Sequence, residues 1–376
     1  MSKSTKIIIG IVVVVIIILL AVTSGKKADA GPIKIGLIAP LTGDASAYGE
    51  PVRKGVEIAT SEINEKGGID GRFLEVVYED GKCSNKDATS AAQKLINIDK
   101  VKVIVGMICS GELLSAAPVA ESAKVILLGQ GSSPDITNAG DYTFRSFPSD
   151  IVVSSAMLEH MSKNNVKTVA LLSGSTAFTT ALKKDFESKI KDTSIKIVAS
   201  EDYNDSTKDY RSILQKIKLA NPDAILLNTQ TGADGGRAAQ QARDLGITSQ
   251  FYTAYFSGPE FVGLGKAVEG TLVVDAPDLG SDNQRANEFL AKSKAKYGTE
   301  ATYPFFSANA YDQVYLVADI FNRVGSSDSE KIKEALYKTK DFKGISGTFG
   351  FDQNGDVVGI GMRVMRVVGG KLVPVQ

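Results

Sequence analysis

The sequence predicts an α/β fold with two doubly wound parallel-sheet lobes joined at a hinge, and three observations carry that expectation. Apolar, β-branched runs alternate with amphipathic segments along nearly all of the chain after residue 30, the pattern of a parallel sheet with helices on both faces. At 376 residues the chain exceeds one ordinary core and suits two. The alternation breaks at Phe144–Ser149 without a long flexible linker, so several short crossings join the halves instead of one tether.

The first set of elements opens with a strand at Ile33–Ala39 and a helix at Tyr48–Glu65, whose Val52, Val56, Ile58, Ala59 and Ile63 share one face. After the turn Gly67-Gly68-Ile69-Asp70-Gly71 come a strand at Phe73–Tyr78, a helix at Ala88–Ile98 and a strand at Val101–Val105. A helix at Glu112–Ala123 and a strand at Val125–Leu128 complete it. The second set has strands at Thr168–Leu172, Ile195–Ser200, Ala224–Leu227, Phe251–Thr253 and Gly270–Val274. Its helices are Ile151–Asn164, Ala177–Ile190, Lys208–Leu219 and Gly235–Leu245. Three more helices follow (Gln284–Tyr297, Phe305–Val324, Glu330–Thr339), then a glycine-rich tail of short strands, Gly347–Val375, with a turn at Asp352–Asp356. The expected division is residues 31–148 and 278–340 for one lobe, 149–277 and 341–376 for the other.

Two strand-to-helix corners carry the most chemistry. After Val101–Val105 come Gly106 and then Ser110-Gly111; after Val125–Leu128 come Gly129-Gln130-Gly131-Ser132-Ser133. The first turn of a helix offers backbone N–H groups without intrahelical partners, a setting that favours negative charge. Serine adds a hydroxyl donor, and glycine admits a ligand close to the backbone. These corners are expected to face one cleft, beyond the carboxyl ends of the strands, and to hold a small carboxylate. The competing reading is that Ser110 caps its helix and Ser132 and Ser133 merely shape a turn.

Composition excludes several classes. Lys+Arg and Asp+Glu both number 43, and no basic run lies beyond the N-terminus, so no nucleic-acid partner is expected. One histidine, His160, and two cysteines, Cys83 and Cys109, cannot assemble the usual zinc site, and no metal or cofactor is expected. His160 falls within a helical pattern and reads as a packing residue. Gly129–Gly131 lacks dinucleotide-loop spacing, and no nucleophile elbow or lysine-bearing phosphate loop occurs, so no enzyme is expected. A basic flank, Met1–Lys6, precedes the uncharged run Ile7–Val22, as in an export signal. Residues 1–30 are read as a signal peptide cut after Ala30 or an anchor retained through residues 7–22. Either way the chain works outside the cytoplasm, in the periplasm or on the outer face of the membrane.

Several segments together resemble the periplasmic leucine/isoleucine/valine-binding proteins, the type I substrate-binding proteins of branched-chain amino-acid ABC transporters. They are Ile35-Gly-Leu-Ile-Ala-Pro-Leu-Thr-Gly43, Tyr48-Gly49, Glu62-Ile-Asn-Glu-Lys-Gly-Gly-Ile-Asp-Gly-Arg72, Tyr78-Glu-Asp80, Phe144-Arg-Ser-Phe-Pro148, Gln240-Gln-Ala-Arg-Asp-Leu-Gly246, Val268-Glu-Gly270 and Phe351-Asp-Gln-Asn-Gly355. The resemblance implies two lobes on a three-segment hinge that close on a ligand, and a Cys83–Cys109 disulfide. It implies ligand donors at Ser110 and Ser132, flanking backbone at Gln130 and Gly131, and an aromatic wall at Tyr48. From the second lobe it nominates Phe178, the Gln230–Thr231 loop and Tyr255. The family members that bind α-amino acids carry an acid where Tyr255 stands. Either another acid, such as Asp234 or Glu112, meets the amine, or the ligand is an organic acid or amide without one. The implied role is a monomeric binding protein that delivers a small carboxylate-bearing ligand, an amino acid or a relative of one, to a membrane permease. A sensor of the same shape is the alternative.

Overall fold

Five parallel strands form the first sheet, in the order β2-β1-β3-β4-β5: β1 (Ile33–Ala39), β2 (Leu74–Asp80), β3 (Val103–Gly106), β4 (Ile126–Gly129) and β5 (Thr143–Arg145). β3 and β4 are buried along their whole length, which is why both read as unbroken apolar runs. Helices α1 (Ser46–Glu65), α2 (Asn85–Asn97) and α3 (Ser110–Ala123) alternate with these strands. α2 starts three residues earlier than its apolar pattern suggested because Ser84 caps it, its hydroxyl accepting the Asp87 N–H. This computed structural model describes residues 31–375 apart from 205, 281, 326 and 327. The segment read as a leader lies outside the described residues. Among those described, no helix is long and apolar enough to cross a membrane.

The second sheet contains β6 (Thr168–Ser173), β7 (Lys196–Asp202), β8 (Ala224–Asn228), β9 (Gln250–Ala254) and β10 (Leu272–Asp275), all paired in parallel. Helices α4 (Asp150–Lys163), α5 (Ala177–Lys189), α6 (Arg211–Ala220), α7 (Gly232–Asp244) and the short α8 (Pro259–Val262) accompany them. On α4, His160 hydrogen-bonds the Tyr252 hydroxyl at 3.0 Å and packs on its ring, so it is a packing residue. Helices α9 (Gln284–Tyr297), α10 (Pro304–Val324) and α11 (Ser329–Tyr337) return to the first sheet, α10 packing along α1.

The tail then forms a small sheet from β11 (Phe342–Lys343), β12 (Thr348–Phe351) and β13 (Val357–Val358). The sequence reading grouped these residues with the second lobe, but their contacts lie with the first. The Arg145 N–H donates to the Gly355 carbonyl at 2.9 Å, and Phe351 packs edge-on against Phe144 at 5.4 Å. Short glycine-rich strands carry no signal of which sheet they will join; the buried rings decide it. Only β14 (Arg363–Val368) and β15 (Lys371–Pro374) reach the second sheet, as an antiparallel edge beside β10. The described chain thus passes between the sheets at residues 146–149, at 276–280 with 282–283, and at 359–362.

Buried polar side chains of α10 fix the first of these passes. The Ser146 hydroxyl donates to Asn309 Oδ1 (2.7 Å), and Gln313 Nε2 donates to Ser146 Oγ (2.8 Å). Gln313 Oε1 also accepts the Gly106 N–H at the end of β3 (3.0 Å). One helix therefore ties the hinge to the corner that opens the candidate site. Cys83 and Cys109 form a disulfide, with Cα atoms 5.4 Å apart and 26 residues of separation, as the resemblance implied. A loop of that length confers about 3 kcal/mol in the chain-entropy account.

Candidate functional site

The two corners abut. Gly106 has φ +98°, and a Cβ there would lie 2.5 Å from the Ile38 carbonyl oxygen, so glycine is required for β3 to turn toward α3. Gly131 brings the second corner onto the first: its Cβ would lie 3.0 Å from Ser110 Cα. Cys109, not Ser110, is the N-cap of α3, and Ser110 occupies the first helical turn. Its hydroxyl oxygen accepts the backbone N–H groups of Ser132 (3.2 Å) and Ser133 (3.1 Å). The Ser110 proton is thereby left to donate elsewhere. From behind, the buried Arg145 guanidinium donates to the carbonyls of Ser132 (3.2 Å) and Ser133 (2.8 Å) and pairs with Asp356 at 2.7 Å.

The second sheet supplies the facing wall. Thr176 caps α5 in a reciprocal capping box with Thr179, placing Phe178 in the first turn. Thr231 caps α7, its hydroxyl accepting the Asp234 N–H at 3.2 Å. The next N–H, of Gly232, crosses to the first lobe and donates to the Tyr48 hydroxyl at 2.9 Å. Tyr48 stacks on Tyr303 with ring centroids 4.6 Å apart. At the mouth, Lys208 bridges Asp44 (2.9 Å) and Asp234 (3.2 Å).

Tyr255 follows β9 directly, with φ +65°, and lies edge-on to Phe147 at 5.4 Å. Its hydroxyl donates to Asp150 Oδ1 at 2.7 Å. Asp150 is fully buried at the start of α4, and its N–H donates to the Ser132 carbonyl at 2.9 Å. Burial pushes its carboxyl up to about 7, against the opposing pull of hydrogen bonds from Tyr255 and Ser132.

Between these walls is a cavity of about 50 Å³. Its aromatic lining is Tyr48, Phe147, Phe178, Tyr255, Phe256 and Phe306, and its polar lining includes Ser110, Gln130, Ser132 and Gln230. Among the described residues no carboxylate lines it. A larger hollow of about 310 Å³, near Lys34, Arg72, Lys100 and Lys102, flanks the amino-terminal end of β1. It is remote from the carboxyl ends of the strands, where open parallel sheets hold their ligands.

A family model described as periplasmic binding protein matches residues 32–371. The chain belongs to that family. This periplasmic binding protein is 29% identical over 337 residues to the leucine-, isoleucine-, valine-, threonine- and alanine-binding protein of Pseudomonas aeruginosa, covering 86% of this chain and 87% of that one. A leucine-binding protein from Thermotoga maritima superposes with a TM-score of 0.83 at 29% identity, covering 92% of this chain and 98% of that one. A branched-chain amino acid transporter substrate-binding protein from Streptococcus pneumoniae, solved with isoleucine, gives 0.81 at 31%, covering 91% and 97%. The proteins of this family are binding proteins, and the two-lobed α/β architecture is theirs.

Of the nine residues nominated from sequence, Tyr48, Ser110, Gln130, Ser132, Phe178, Gln230 and Tyr255 line the cavity of this periplasmic binding protein. Gly131 and Thr231 do not; they shape the turns that present their neighbours. Neither acid suggested as a partner for an amine reaches it. Glu112 is buried with Oε1 accepting the Cys83 N–H (2.9 Å), and Asp234 is held by Arg237 (2.7 Å) and Lys208. Sequence reasoning missed Ile108, Cys109, Phe147, Phe256 and Phe306 in the lining, and Asp150 behind it. Phe147 lay within a quoted motif and Asp150 two residues after it. Phe306 opens a helix whose pattern gave no hint of the cleft.

Proposed function

We propose that this protein is the extracytoplasmic substrate-binding component of an ABC transporter, capturing a small carboxylate-bearing ligand between its lobes and delivering it to a membrane permease. The observation that carries this reading is the cavity between the carboxyl ends of two parallel sheets, with a serine hydroxyl free to donate on one wall and aromatic rings around the rest. Family membership and the specificities named for the Pseudomonas and Streptococcus relatives support branched-chain or other small amino acids as the ligand class.

In the open state the ligand meets the first lobe at Ser110 and the helix start behind it. Closure then brings Phe178, Gln230 and Tyr255 over it and expels water, which strengthens each polar contact. The Gly232 N–H to Tyr48 bond is the kind of contact that forms only when the lobes meet. A permease would read the closed surface, because the ligand binds that state better.

A thermal-shift screen of the purified protein against amino acids, their amides and organic acids tests the reading. A ligand at a hundred times its Kd raises stability by about 2.7 kcal/mol. A screen in which no carboxylate-bearing compound moves the melting point would refute it. Ligand-driven uptake into vesicles carrying the cognate permease separates transport from sensing.

A further inference from the structure

We propose that Asp150, acting through Tyr255, is the counter-charge for a ligand ammonium, so that the cavity selects α-amino acids over the same acids without the amine. The inference rests on the reading of the cleft as a carboxylate site and specifies its other half.

Buried polar atoms in folded proteins nearly always have partners, and those without one call for an explanation. Two such acceptors flank this cavity. Gln130, a lining residue, donates from Nε2 to the Phe306 carbonyl (3.2 Å), which fixes its amide orientation and leaves Oε1 buried without a partner. Asp150, directly behind Tyr255, has one oxygen bonded by the tyrosine and the other, Oδ2, buried without a partner. The single proton of Tyr255 is committed to Asp150, so toward the cavity its oxygen can only accept. The Asp150 N–H donates to the Ser132 carbonyl at 2.9 Å, which ties the pair to the serine corner.

The cavity therefore offers two sets of groups. The acceptors are Gln130 Oε1 from the first lobe and Tyr255 Oη from the second, with the Asp150 carboxylate behind the tyrosine. The donor is the Ser110 hydroxyl, which accepts two N–H groups and so has its own proton to give. An ammonium supplies three donors and a positive charge to the first set, and a carboxylate supplies acceptors to the second. The two sets are joined through Ser132: its N–H donates to Ser110 and its carbonyl accepts the Asp150 N–H. That adjacency suits an amine and a carboxylate borne on one carbon. Phe147, Phe178 and Phe306 leave only apolar surface for the rest of the ligand.

The test is calorimetry on the purified protein with L-leucine, L-isoleucine, L-valine, L-threonine and L-alanine, each against the acid lacking its amine (4-methylpentanoate for leucine). The wild type is expected to prefer the best amino acid by about a hundredfold, and Asp150→Asn to lose most of that preference while holding the deamino acid about as well as before. Asparagine keeps an acceptor for the tyrosine hydroxyl and removes the charge, an amide NH2 standing in place of the second oxygen. Tyr255→Phe, which keeps the charge, should retain more of the preference than Asp150→Asn. A preference unchanged in Asp150→Asn, equal loss of both ligands there, or a wild type indifferent to the amine would each overturn the inference and leave the carboxylate site standing. Binding of neither series would overturn the carboxylate reading, and the inference with it.

Discussion

The Ser110 hydroxyl oxygen accepts the Ser132 backbone N–H at 3.2 Å, so the two corners of the site are bonded to each other before any ligand arrives. The sequence suggested only that both serines would aim donors at the ligand. The structure makes Ser110 a keystone as well. Ser110→Ala strands two buried N–H groups, and each unsatisfied group costs about 1–3 kcal/mol. Urea denaturation of the unliganded Ser110→Ala variant should show a loss of that order, together with loss of binding. Ser110→Thr, which restores the oxygen, should recover most of the stability.

Arg145 and Asp356 hold the same turn from behind, with the arginine buried and its partner mostly so. Removing one member of a buried pair strands the other charge, at a cost of about 3–5 kcal/mol. Asp356→Ala should therefore destabilise the protein by more than Arg145→Met, which removes the buried charge itself. Paired chemical denaturation curves will decide; equal and small losses would mean that the ion pair does not support the turn.

Tyr48 and Gly232 are 184 residues apart and bonded across the cleft. Tyr48→Phe removes the acceptor and keeps the ring. The expected result is weaker ligand binding, by about five- to tenfold for one neutral hydrogen bond. Small-angle scattering of the ligand-free variant should report a larger radius of gyration than wild type. An unchanged scattering curve would assign that bond no part in closure.

Glu112 makes stability depend on pH. Burial raises its carboxyl from an ordinary 4.5 to about 8, against hydrogen bonds from the Cys83 and Cys109 backbone. The folded state therefore holds this proton more tightly than the unfolded chain, so stability falls as pH rises from about 4.5 to about 8. Asp150, raised by burial to about 7, acts in the same direction over the lower part of that window. Glu112→Gln keeps an oxygen for the Cys83 N–H and should flatten the decline in melting temperature between pH 5 and pH 8, as read by calorimetry. A parallel slope in the variant would show that Glu112 titrates normally.

Reduction of the Cys83–Cys109 bond should lower stability by about 3 kcal/mol. The disulfide anchors the turn after β2 to the start of α3, so reduction is also expected to weaken binding at Ser110. Denaturation and calorimetry with and without a thiol reductant measure both.

What the sequence determined by itself was local. Side-chain periodicity depends on residues two to four apart, so the strand–helix alternation and both corners could be read directly, and with the corners Ser110, Gln130 and Ser132. The motif resemblance added Tyr48, Phe178, Gln230 and Tyr255, the three-segment hinge and the disulfide pairing. Tertiary structure alone decided which distant groups meet. Asp150 and Tyr255 are separated by 105 residues, and nothing in the spacing of either points to the other. The same holds for Arg145 with Asp356, and for the β11–β13 sheet, whose rings found their apolar partners beside the first lobe. Burial in a shared interior raises the energetic stakes of every unpaired charge and every unmatched ring, and that condition exists only once the chain has folded.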